Sequence, residues 1–291
     1  MSPADKVSLA AQLACLLEVS ADKPGNVTPF ADFADTRYTD FLASSIVLGQ
    51  VLRKAATVAI GSLVLDAVRE TKRLVGRNTN LGIALLFVPL AKAALRKGRR
   101  SLRSSLRSVL TALTPYDGQR VYEAIRLAAP GGLGQADQLD VRATHGRVPL
   151  LEAMRASADR DSIAREYVTD FEITFTIGAP TLERSLRESG DPEAAVIQTC
   201  LTLLSRVPDS LIARKCGARE AARISREAGK ILAIGGVYTE QGWRRLRRWD
   251  RALRRDDNRL NPGTTADLTA SALFVVALER GGEFVLGGSA R

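Results

Sequence analysis

Apolar positions recur along this chain mostly every three or four residues, the spacing that places them on one face of a helix. Residues 5–19 show it first, with Leu9, Leu13, Leu16 and Leu17 on a common face. Residues 20–35 hold Pro24, Gly25 and Pro29 and read as a loop. A long helix is expected from 38 to 74, with a possible break near Gly61, then a turn over 76–80 and an apolar helix over 81–97. Shorter helices are expected over 101–113 and 117–128, flanking Pro115. Residues 130–150 are rich in Gly and Pro and read as a long irregular segment, a type that often carries function. Further helices are expected over 157–189 (with an interruption near Gly178 and Pro180), 192–205, 219–234, 240–255 and 264–280. The run from Phe171 to Ile177 suits a strand by propensity, but no second strand stands out to pair with it. The pattern predicts an all-α protein, a single compact multi-helix domain of about ten helices over residues 1–291, with 281–291 as a flexible tail.

Composition narrows the chemistry. With 45% apolar and 25% charged residues the chain has the mix of a globular protein rather than a disordered one. The net charge of +10 favours anionic partners: phosphorylated small molecules, nucleic acid or anionic lipid. Aromatic residues are only 5%, which argues against base stacking on a single strand. The three cysteines, Cys15, Cys200 and Cys216, form no C-x-x-C pair and read as reduced thiols. A single histidine, His145, leaves little room for His-based zinc sites, triads or haem ligation. The longest apolar stretch is broken by Pro89 and Lys92, too short for a bilayer span, and no secretory leader pattern is visible, so a soluble cytoplasmic protein is expected.

Several loop-to-helix junctions are unusually polar. Lys23 adjoins a Pro-Gly turn, followed by Asp32, Asp35 and Asp40. These carboxylates could gather round a metal ion or a ribose, or Asp35 or Asp40 could cap a helix. Asn78, Thr79 and Asn80 precede an apolar helix, where they could cap it or form a phosphate site with its free N–H groups. Thr264, Thr265 and Asp267 follow Pro262-Gly263; capping explains them, and so would Mg²⁺ and phosphate. Asp209 and Arg214 could face one ligand. From Arg244 to Arg255 seven arginines occupy twelve positions, with Trp243, Leu246, Trp249 and Leu253 as packing candidates. That face reads as a solvated basic surface, with triphosphate steering or nucleic-acid contact as the alternatives.

Taken in order, these segments resemble the triphosphoribosyl-dephospho-CoA synthase family, known from the maturation of citrate lyase and malonate decarboxylase. The resemblance runs through Glu18-Val-Ser with Lys23-Pro-Gly, Asp35 ahead of Phe41-Leu-Ala-Ser44, Asn78-Thr79 with Gly82, Pro208-Asp209-Ser with Arg214, and Pro262-Gly263 with Ala266-Asp267-Leu268. It implies an all-helical transferase that moves the ribose triphosphate of ATP to the ribose 2′-hydroxyl of 3′-dephospho-CoA and expels adenine. It further implies Asp35, Asp209 and Asp267 in the acidic, catalytic roles, with Asp35 and Asp267 also holding Mg²⁺. Lys23 and Arg214 take the cationic substrate-binding roles, and Asn26, Asn78, Asn80 and Thr264 the neutral ones.

The chain departs from the family pattern at two places. Phe33 stands where familiar bacterial members carry a His, and Asn78-Thr-Asn-Leu-Gly82 stands where they read Asn-Thr-His-Lys-Gly. Hydrolysis of a nucleoside or ADP-ribose, with water as the acceptor, is one alternative to the main expectation, and two more stand beside it. One is a related (phospho)ribosyl transfer to a different hydroxyl acceptor, in making a methanopterin-type C1 carrier. The other, against which the acidic loops argue, is non-enzymatic nucleic-acid binding through the Arg-rich helix.

Overall fold

The structure is a computed structural model that describes residues 1–96, 98, 100–129 and 148–288. His145 and most of the irregular 130–150 segment lie outside the described residues, as do the last three residues of the expected tail. All the regular elements among the described residues are helices, with one isolated bridge between Thr28 and Ala31 and no strand. No helix among them is long and apolar enough to cross a membrane. The chain divides into two compact units, Met1–Gln12 with Asp40–Glu172, and Leu13–Thr39 with Ile173–Arg291.

The first unit takes the start of α1 (Pro3–Ser20), then α2 (Tyr38–Leu52), α3 (Ile60–Val75), α4 (Leu81–Ala94), α5 (Leu102–Leu110), α6 (Pro115–Ala128), α7 (Leu150–Ser157) and α8 (Ser162–Val168). The long helix expected over 38–74 is in fact α2 and α3, broken by a turn ahead of Gly61. Gly61 marks close packing: a Cβ there would lie 2.4 Å from the Asp117 carbonyl oxygen. Its N–H donates to Asp117 Oδ1 at 2.9 Å, and Asp117 also closes a capping box with Thr114 at the start of α6.

Helix α4 is buried along nearly all of its length although Pro89 sits inside it. A proline in a helix strands the carbonyl four residues back. Here that carbonyl belongs to Leu85, and the buried Tyr167 hydroxyl donates to it at 2.7 Å. An aromatic residue of α8 thus repairs the hydrogen-bond ladder of α4.

The second unit holds α9 (Ala179–Ser189), α10 (Pro192–Arg206), α11 (Ser210–Cys216), α12 (Ala218–Ala233), α13 (Glu240–Leu253), the kinked turn α14 (Arg255–Asn258), α15 (Gly263–Arg280) and α16 (Gly282–Val285), with the second part of α1 and the loop after it. Helices α10 and α15 form its core; Leu201, Leu203, Phe274 and Val275 are fully buried. The helix expected over 157–189 is several pieces. Asp170 and Phe171 adopt left-handed φ values of 51° and 57°, and a π-helical turn, Thr174–Gly178, leads into α9. Its Gly178 is packed against α15, since a Cβ there would lie 2.8 Å from that of Ala272. The strand-prone run is therefore helical, as expected of a strand without a partner. The last expected segment, 281–291, begins with the short α16.

Candidate functional site

Three of the loop-to-helix segments meet in the second unit, and Asp209 joins two of them. It is the N-cap of α11, and its Oδ1 accepts the N–H groups of Leu211 at 2.9 Å and Ile212 at 3.0 Å. Helix α15 has no side-chain cap of its own at Pro262. Asp209 supplies one from across the unit: its Oδ2 accepts the Thr265 N–H at 2.7 Å and the Thr265 hydroxyl at 2.8 Å. Beside it the Ser210 hydroxyl donates to Thr264 Oγ1 at 3.1 Å. Burial pushes the Asp209 carboxyl upward, against the downward pull of these hydrogen bonds. With both oxygens engaged and 1% of its surface exposed, Asp209 is a structural tie whose lone pairs face inward. Thr264 is likewise buried in that tie.

Lys23 is also directed inward. It is fully buried, and its Nζ donates to the carbonyls of Glu18 and Ala21 and pairs with Glu18 Oε1 at 3.0 Å. An ammonium has three protons, and these three acceptors take them all. The ion pair ties the end of α1 to the loop after it. Two residues on, Gly25 adopts φ +73°, where a side chain would be strained. A Cβ there would lie 3.0 Å from Leu253 Cβ and 3.2 Å from Pro262 Cδ, so the Lys23-Pro24-Gly25 turn lies against the ends of α13 and the entry to α15. The Gly25 N–H donates to Asp250 Oδ1 at 2.8 Å. Buried Asn26 donates through Nδ2 to the Pro24 carbonyl at 3.3 Å and holds the same turn.

Asp267 lies one turn into α15 and is half-buried. Burial first, then the charges of Glu18 and Asp267, hold the Cys15 thiol far above its usual range, so Asp267 is near the Cys15–Glu18 turn of α1. Asp35 is exposed and accepts the Thr36 hydroxyl at 3.0 Å. Asp40 lies in the first turn of α2 and is half-buried. Asp32 Oδ1 accepts the Tyr38 N–H at 2.7 Å, because the loop turns back far enough to bring a residue six positions earlier to the start of α2. Arg214 is exposed on the last turn of α11.

The remaining segments meet in the first unit. Asn78 Oδ1 accepts the Leu81 N–H at 3.0 Å and caps α4. Asn80 is buried and donates through Nδ2 to Thr71 Oγ1 at 2.8 Å, while its Oδ1 has no partner. Thr79 shares a hydrogen bond with Ser44, and Arg77 Nε approaches Asp40 Oδ2 at 3.9 Å. The stretches 40–44 and 77–80 therefore form one polar cluster within this unit.

Among the described residues no group of three or more His, Cys, Asp or Glu side chains is arranged to hold a metal ion. Mg²⁺ commonly binds through one or two carboxylates and completes its shell with water and substrate phosphate, so the two candidate carboxylates match that donor set in kind.

On α13 the packing residues are those expected: Leu246, Trp249 and Leu253 are buried and Trp243 is half-buried. Arg244 pairs with Glu240 and Arg245 with Glu227, whereas Arg247, Arg248 and Arg251 stand in solvent. Asp250, which accepts the Gly25 N–H of the first motif loop and the Arg254 Nε–H, was not singled out in the sequence. Its signal in the sequence is a basic residue, Arg254, four positions on along the same helix.

The family model described as ATP:dephospho-CoA triphosphoribosyl transferase matches residues 4–285. The 2-(5″-triphosphoribosyl)-3′-dephosphocoenzyme-A synthase of Klebsiella pneumoniae is 32% identical over 42% of this chain and 39% of its own. A Pseudomonas aeruginosa relative is 29% identical over 65% of this chain and 73% of its own. The crystal structure of an Archaeoglobus fulgidus protein assigned as a triphosphoribosyl-dephospho-CoA synthase superposes with a TM-score of 0.64 at 29% identity, covering 82% of this chain and 98% of that one. The first curated relatives are matched over 39%, 50% and 57% of their own length.

Proposed function

Because the chain belongs to the ATP:dephospho-CoA triphosphoribosyl transferase family, we propose that it moves the 5′-triphosphoribosyl group of ATP to the ribose 2′-hydroxyl of 3′-dephospho-CoA and releases adenine. The observation that carries this reading is the tie through Asp209. The segments that bear the family likeness, 208–214 and 262–268, are held together by a single buried carboxylate, with the 23–25 turn seated beside them.

In this reaction the bond from the ribose anomeric carbon to the adenine nitrogen breaks, and a bond from that carbon to the acceptor oxygen forms. The acceptor hydroxyl loses a proton and the departing adenine gains one. The sugar passes through an oxocarbenium-like state, which a carboxylate stabilises by its charge or assists by taking the hydroxyl proton. Asp35 and Asp267 fill these roles in the proposal, Asp35 from an exposed position and Asp267 from one turn into α15, whereas both oxygens of Asp209 are engaged by helix N-termini. Asp209 and Lys23 act as positioning residues, and Asn26 and Thr264 shape the turns between them. Arg214 supplies positive charge for phosphate. Taken by itself, the first unit offers Asn78 and Asn80 as polar substrate contacts, Asn80 through its unmatched amide oxygen. Mg²⁺ would be held by Asp35 or Asp267 together with triphosphate oxygens and would neutralise part of the triphosphate charge. A cytoplasmic setting goes with ATP as donor.

The test is incubation of the full chain with ATP, Mg²⁺ and dephospho-CoA. The expected result is adenine release matched by a product whose mass is that of both substrates less adenine. Free adenine with ribose triphosphate alone would mean hydrolysis, and no adenine would overturn the reading.

A further inference from the structure

Arg254, at the end of α13, is only partly satisfied. Its Nε donates to Asp250 Oδ2 at 2.9 Å, while Nη1 and Nη2 are buried and reach no acceptor among the described residues. A guanidinium facing a carboxylate often engages both oxygens. Here the second oxygen of Asp250 is taken by the Gly25 N–H at 2.8 Å, so the Nη pair is turned toward something else. The side chain keeps 17% of its surface exposed, which puts the unmatched end just beneath the surface rather than deep in the core. Its neighbours Arg247, Arg248, Arg251 and Arg255 are exposed and solvated by contrast.

The surroundings point the same way. Trp249 Nε1 and Asn261 Oδ1 are also buried without partners, so the stretch from 249 to 261 gathers unmatched polar atoms at both ends of a turn. In that turn Asp256, Asp257 and Asn258 have φ values of 54°, 57° and 56°. Three successive side-chain-bearing residues in the left-handed region are strained, and such a turn relaxes when its surroundings change.

We propose that Arg254 is an anion-binding residue whose Nη1 and Nη2 grip a phosphate group of a di- or triphosphate ligand. Asp250 and the Gly25 N–H set the plane of the guanidinium, and the 255–258 turn yields to admit the ligand. The orphaned donors stand on their own; only the identity of the ligand rests on the transferase reading. Both of its substrates bring phosphates, ATP a triphosphate and dephospho-CoA a diphosphate.

Calorimetric titration of the full chain with inorganic triphosphate tests the site. Arg254→Gln is expected to weaken binding about tenfold or more, and Arg254→Lys severalfold, since an ammonium keeps the charge but loses the fork. Arg248→Gln, on the exposed face, is expected to leave affinity within about twofold. Melting curves establish folding, and should the glutamine variant not fold, the lysine variant decides. Titrations with ATP and with dephospho-CoA then identify which substrate loses affinity. Wild-type binding that neither variant weakens, or no binding of triphosphate by the wild type, overturns the proposal. Failure of the transferase reading would be seen separately, as no adenine release by a wild type that still binds triphosphate through Arg254.

Discussion

Asp209 and Thr265 are 56 residues apart, and the carboxylate of one accepts both the backbone N–H and the hydroxyl of the other. The same carboxylate starts α11 through its second oxygen. Two helix N-termini thus share one buried anion, each supplying donors that would otherwise be unpaired. Any site built on the first turns of α11 and α15 inherits its geometry from this contact.

Replacing Asp209 with Asn puts an amide NH₂ against N–H donors on one side of the tie. Asp209→Asn is expected to lower unfolding free energy by about 2–3 kcal/mol, and Thr265→Val, which loses only the hydroxyl, by about 1 kcal/mol. Denaturant titration of the three proteins checks the order. Equal stability of Asp209→Asn and wild type would show that the tie does not bear on the fold.

Lys23 is expected to behave as half of a buried ion pair. Lys23→Met leaves Glu18, itself 4% exposed, without its cation, and should cost about 3–5 kcal/mol. Removing the second charge as well, in the Glu18→Gln, Lys23→Met double variant, should restore a large part of that loss. A double-mutant cycle by thermal or urea unfolding measures the coupling. Additive losses would mean that the two residues act independently.

Much of the fold is legible in the chain because it is local. The 3.6-residue period locates α1, α10, α12, α13 and α15 nearly to their ends, and Pro24, Gly25 and Pro29 locate the loop after α1. What the pattern hides depends on distant partners. Nothing near Asp170 announces a left-handed turn; Arg103 donates to its carbonyl and Arg107 pairs with its carboxylate from α5. Helices α7 and α11 are too short for a period to show. The candidate site divides in the same way. Its residue types and order are visible, but whether a polar side chain faces a ligand or a helix end is settled by packing. Lys23 and Asp209 face inward, while Asp35 stays exposed, and only tertiary structure separates them.

The buried thiols give a pH dependence of defined sign. Burial raises Cys200 from 9.0 to about 12, and Cys15 is raised further in the same direction. Above pH 9 the unfolded chain releases these protons while the folded chain keeps them, so stability is full below pH 9 and declines as pH rises toward the folded values. Each thiol contributes a slope of about 1.4 kcal/mol per pH unit in that window. Cys200→Ala should therefore unfold with a shallower alkaline decline than wild type, read from urea midpoints between pH 8 and about 11. Identical declines would place the Cys200 thiol in contact with water. Cys216, the one cysteine that is not buried, should be the first to react with a thiol reagent on the native protein.

Asp35 separates chemistry from architecture. Its side chain is exposed and its hydrogen bond, from the adjacent Thr36, is local, so Asp35→Asn should melt within about 1 °C of wild type, as surface substitutions do. If its carboxylate takes the acceptor proton or faces the developing positive charge, adenine release should fall by about 10²–10⁴-fold. The comparison with Asp209→Asn makes the result decisive. That variant is expected to lose stability first, and its activity should recover when the protein is assayed well below its melting point. A structural role for both residues would move the two measurements together. Loss of turnover without loss of stability in Asp35→Asn alone would assign the chemistry to Asp35. Retained turnover there would move it to another carboxylate, with the half-buried Asp267 next in line.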